Sequence, residues 1–84
     1  MMNRQSDIRF LELGALLEDA EATNDPLDGC ALLSRALRQL EELLVAEVGT
    51  ARLMMCGWEQ IGQVLGVTRQ AAWKRYSLVK LALD

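Results

Sequence analysis

Thr68, Arg69, Gln70, Trp73, Lys74 and Arg75 fall within positions 68–75, and they are the side chains best equipped for chemistry. A guanidinium carries parallel N–H donors in a rigid fork, and a primary amide pairs one donor group with one acceptor. Such planar pairs match the edges of nucleobases: Arg meets guanine O6 and N7, and Gln meets adenine N6 and N7. Lys74 and Arg75, further along, are better placed for phosphate oxygens. Trp73 either touches a thymine methyl or sugar or packs against the N-terminal helices. Catalytic chemistry has far less to work with. The chain has no histidine, its two cysteines (Cys30 and Cys56) form no C-x-x-C pair, and it has no phosphate-binding glycine loop or nucleophile elbow. We therefore expect neither an enzyme nor a metal or cofactor, and both thiols read as reduced core or boundary residues.

The elements that position these residues can be read around them. Trp58, Ile61 and Leu65 share one face of a short helix, with Gly62 on the same face and small enough for the next helix to cross closely. Gly66 stands where the chain must turn sharply, favouring a left-handed backbone. Val67 is expected to fill the corner between the helices, and Thr68 to cap the following one while staying near a phosphate. In that second helix Ala72, Tyr76 and Val79 form the inward stripe. Arg69, Gln70, Trp73 and Lys74 point away from it.

The string W-E-Q-I-G-Q-V-L-G-V-T-R-Q-A-A-W-K-R-Y, within 57–76, resembles the helix-turn-helix of small bacterial regulators, particularly those of actinobacteria and their phages and plasmids. It is also similar to segments of sigma-factor C-terminal domains and resolvases. The resemblance implies double-stranded DNA as partner. Base contacts would come from Thr68, Arg69, Gln70 and Trp73, and phosphate contacts from Lys74, Arg75, Arg52 and Lys80. Two positions depart from the pattern. Gly57 replaces the usual Ser or Thr before the Trp and is a weaker cap. Arg75 stands where an apolar residue is common, so it either pairs with Glu59 across the motif or touches DNA.

Upstream, Ile8, Leu11, Ala15 and Leu16, widened by Leu13, Leu17 and Ala20, mark a helix over about 6–23 with Ser6 as its cap. Asp25 and Pro26 suit the cap and first turn of a second helix reaching at least Val48. Gly49 and Thr50 could end it, or it could continue to Met55. Leu33, Leu37, Leu40, Leu44 and Val48 form one seam, and Arg38 is placed to pair with Glu42. Most of these leucines must serve the chain's own core. The two helices nevertheless offer more apolar surface than one small core needs, so Leu11, Leu33, Leu37, Leu40 and Leu44 are also expected to form a homodimer interface. Met54 and Met55 read as adaptable filler near the junction.

The net charge of -3 conceals an asymmetry. Residues 1–50 carry four basic side chains against ten acidic, a net of -6, whereas residues 51–84 carry five against two, a net of +3. One end suits a polyanion and the other does not. The expected architecture is all-α and one compact domain. Residues 1–50 form an acidic helical hairpin for core and dimerisation, and residues 51–84 form a tri-helical helix-turn-helix unit. The expected function is that of a homodimeric transcriptional regulator, a repressor, reading the major groove. The alternative is a protein-interaction adaptor, sigma-region-like or antitoxin-like, that uses the acidic helices on a second protein. With no continuous apolar stretch for a signal or a membrane span, the expected location is cytoplasmic, with the nucleoid.

Overall fold

The computed structural model describes residues 5–83, and the side-chain surroundings of residues 8–77. It consists of four helices: α1 (Gln5–Ala22), α2 (Pro26–Leu53), α3 (Trp58–Leu65) and α4 (Arg69–Leu83), with no strand among the described residues. The all-α class is therefore as expected. None of the described helices is long and apolar enough to cross a membrane.

Local chemistry sets the ends of these helices. The expected cap Ser6 falls within α1 as described, Gln5–Ala22, and its side chain lies outside the described surroundings. At the next start, Asp25 Oδ1 accepts the Leu27 N–H at 3.1 Å and the Asp25 N–H donates to Thr23 Oγ1 at 3.2 Å. Pro26 follows in the first helical position, where its missing N–H costs nothing. Gly49 and Thr50 do not end α2, which continues to Leu53. Thr50 adapts by donating its hydroxyl to the Ala46 carbonyl one turn back, at 3.2 Å. The stop comes at Met55, whose φ of 70° lies in the left-handed region. Two bonds close it, Cys56 N–H to the Ala51 carbonyl at 3.0 Å and Met55 N–H to the Arg52 carbonyl at 2.9 Å.

Contacts divide the chain into two compact units, residues 1–43 and 44–84, with the boundary falling inside α2. The first has a small core in which Leu13 and Leu16 of α1 pack with Ala36 and Leu43 of α2. The inward face of α2 here runs through Gly29, Leu32, Ala36, Gln39 and Leu43, spaced alternately three and four apart. The expected leucine seam lies about 100° around the helix from it. Leu33, Leu37, Leu40 and Leu44 are all exposed, as is Leu11 at 75%. The reading of most of these leucines as intramolecular core is thus overturned, and Val48 is the one seam residue that is buried. A Cβ built on Gly29 would lie 3.7 Å from the Thr23 Cγ2 side-chain atom, an ordinary contact distance. Arg38 also departs from expectation, donating to Ser34 Oγ at 3.3 Å instead of reaching forward to Glu42.

The second unit packs Val48 from the last turns of α2 with Ile61 of α3 and with Ala72 and Tyr76 of α4. Val45, Ala51, Cys56, Trp58 and Leu65 surround this cluster. Cys56 is therefore the boundary thiol expected, whereas Cys30 is exposed on α2. Met54 and Met55 are also exposed, at 72% and 88%, so neither fills the junction.

Candidate nucleic-acid interface

The polar side chains of α4 owe their position to a turn held by backbone hydrogen bonds at both of its helix ends. At the start of α3, Gly57 has no side chain to offer, so the cap runs one way: its N–H donates to Gln60 Oε1 at 3.1 Å. The helix ends with Gly66 at φ 77°. Val67 N–H reaches the Gly62 carbonyl at 2.9 Å and Gly66 N–H the Gln63 carbonyl at 3.2 Å, satisfying carbonyls that a helix end leaves without partners. A Cβ at Gly62 would lie 2.8 Å from the Val67 carbonyl oxygen and 3.0 Å from that of Thr68. Closeness was expected there, but it is the backbone of the turn, not the following helix, that comes so near.

Thr68 then caps α4, its Oγ1 accepting the Ala71 N–H at 3.0 Å. Acceptance leaves the hydroxyl proton free to donate outward, so capping and a contact with DNA are compatible. With Ala72 and Tyr76 turned into the core, Arg69, Gln70, Trp73, Lys74 and Arg75 are all exposed. About 100° of rotation per residue puts Gln70 and Lys74 outermost. Arg69 and Trp73 share one flank, one turn apart, and Ala71 and Arg75 share the other.

Each flank borders a cleft. Trp58, Arg69, Gln70 and Trp73 line one of about 290 Å³. Leu44, Leu65, Val67, Ala71, Arg75 and Tyr76 line the other, about 170 Å³. Val67 is 42% exposed in that second cleft and does not fill the corner as expected. The Arg75 guanidinium carbon lies 5.8 Å from the Tyr76 ring centroid, at the outer limit of a cation–π contact. Trp73 is 54% exposed and forms a wall of the first cleft.

Arg52, expected on a phosphate, is engaged within the protein. Its guanidinium lies 4.8 Å from the Trp58 ring centroid, and its Nη1 donates to the Cys56 carbonyl at 3.0 Å. It braces the end of α2 against the start of α3. Sequence reasoning missed this role, although an Arg in the last turn of a helix, six residues ahead of a Trp, was the available signal. It also missed that Trp58 and Trp73 line the same cleft. Lys80 and Val79 lie outside the residues whose side chains are described. The remaining expected site residues, from Thr68 to Arg75, are brought together on one helix start, and the five leucines lie on α1 and α2.

Comparison with protein-family models, with curated proteins and with solved structures gives no match.

Proposed function

We propose that this chain binds double-stranded DNA in a sequence-specific way, with α4 as the recognition helix of a helix-turn-helix in the major groove. The observation that carries this reading is the exposed row of Arg69, Gln70 and Lys74 at the start of α4, behind a turn fixed by Gly62, Gly66 and Thr68. Arg69 and Gln70 read base edges, while Lys74 and the outward hydroxyl of Thr68 hold phosphates. The net charge of +3 over residues 51–84 agrees with a polyanionic partner. The protein acts as a homodimer, joined through the exposed leucines, and represses by occupying an inverted repeat.

The test is selection from a random duplex library by the purified protein, with its mass measured by light scattering. Enrichment of an inverted repeat by a dimer is the expected result, and no enrichment at low salt would sink the reading. A second reading has one specific observation in its favour. The apolar face of α2, with Leu37 at 66% exposure, would also suit a protein adaptor. Salt separates the two, since phosphate contacts make log K fall steeply with log salt, by about 0.9 per phosphate neutralised.

A further inference from the structure

The cleft between Trp58 and Trp73 has a composition that phosphate binding does not explain. Two tryptophans line it together with Arg69 and Gln70. Trp58 is braced by the Arg52 guanidinium 4.8 Å from its ring centroid, so one tryptophan is fixed by the protein itself. The other, Trp73, is more than half exposed and sits one helical turn beyond Arg69 on the same flank of α4. Its volume of about 290 Å³ falls just below the range of pockets that enclose drug-sized ligands, and it opens beside the helix start proposed to face the bases.

An apolar surface beside an Arg fork has a natural complement in the major groove. The C5-methyl of a pyrimidine is the one apolar group that the groove displays, and guanine O6 and N7 form the acceptor pair that the fork matches. We infer that the Trp58–Trp73 cleft receives a pyrimidine C5-methyl group, at a base step where Arg69 holds the adjacent guanine. This rests on the DNA-binding reading and adds the chemistry of the step that is read. The methyl comes from thymine or from 5-methylcytosine, which present it at the same place. Trp73 is then a specificity-determining residue, and it discriminates by burying a methyl group instead of by hydrogen bonding.

The experiment uses the full chain and duplexes carrying its selected site. In one series each thymine is replaced in turn by deoxyuridine, which removes the methyl and nothing else. In the other, each cytosine is replaced by 5-methylcytosine. At one position per half-site, next to a guanine, losing the methyl should weaken binding about fourfold, the worth of one buried methyl. A response to deoxyuridine assigns the methyl to thymine, and a gain with 5-methylcytosine assigns it to the modified base. Trp73→Ala should still bind but respond to neither replacement.

Sequence-specific binding that ignores the methyl at every position would overturn the inference and leave DNA recognition standing. Methyl dependence that persists unchanged in Trp73→Ala would overturn it too, by placing the contact elsewhere. If no duplex binds better than random DNA at any salt, both readings fall. Both replacement series use the unaltered protein, so a folding defect in the variant cannot protect the idea.

Discussion

At the scale of single residues, two backbone positions make opposite demands. Met55 holds a φ of 70° at the end of α2 with its side chain 88% exposed, so it has the strain of a left-handed residue and little packing to offset it. Met55→Gly should stabilise the protein by about 1 kcal/mol, raising Tm by roughly 4–8 °C for a domain this small. A melt that is unchanged or lower would show that Met55 makes contacts worth more than the strain. Gly62 is the reverse case. A Cβ there would press on backbone oxygens at 2.8 and 3.0 Å, and those atoms cannot rotate away. Gly62→Ala should cost roughly 1–3 kcal/mol, seen as a lower melting temperature, and unchanged stability would mean that the turn relaxes freely. Gly62, Gly66 and Thr68 were legible in the sequence because each residue type has few other reasons to stand where it does. Met55 was not, since methionine carries no turn signal and Gly49 with Thr50 offered a more obvious stop.

At the scale of elements, the bracing of α3 separates two kinds of arginine and lysine. Arg52 stacks on Trp58 and donates to the Cys56 carbonyl, so removing it takes away a cation–π contact and a charged hydrogen bond. Arg52→Ala should lower stability by about 1–2 kcal/mol in denaturant titrations, while the salt dependence of DNA binding keeps its slope. Lys74→Ala should do the opposite, leaving the melt alone and reducing the slope by about 0.9. If Arg52→Ala flattens the slope as Lys74→Ala does, then Arg52 also meets a phosphate. Arg69→Ala and Gln70→Ala should each lose about 1–3 kcal/mol of discrimination at particular bases, read as altered preferences in library selection. The stretch from Trp58 to Tyr76 was legible as an element because its short-range chemistry is self-contained. The inward faces of α1 and α2 were not. Each helix carries apolar residues on more than one face, as exposed Ile8, Phe10 and Leu17 illustrate beside buried Leu13. Periodicity alone counts such faces without choosing among them.

At the scale of the whole molecule, the exposed face of α2 carries the proposed self-association. Cys30, Leu33, Leu37 and Leu40 are exposed at spacings of three, four and three, a pattern that reads the same from either end. Two copies of α2 laid antiparallel about a two-fold axis would set Leu33 against Leu37 of the partner subunit and Cys30 against Leu40 of the partner subunit. A self-complementary patch of this kind is what a two-fold interface requires. Leu37 lies in the middle of the pattern and contributes nothing to the buried core of its own unit. Leu37→Glu should therefore leave the helical content of the isolated chain intact while placing like charges across the axis. Light scattering should report half the mass of the unaltered protein. Binding to an inverted repeat should fall at least tenfold, with affinity for one isolated half-site retained. A dimer that survives Leu37→Glu would place the interface elsewhere. Oxidative crosslinking then distinguishes the two ways of pairing α2. An antiparallel pair keeps the two Cys30 thiols about 15 Å apart along the axis, at about 1.5 Å per residue, and leaves them uncrosslinked, whereas a parallel pair brings them face to face within reach of a disulfide.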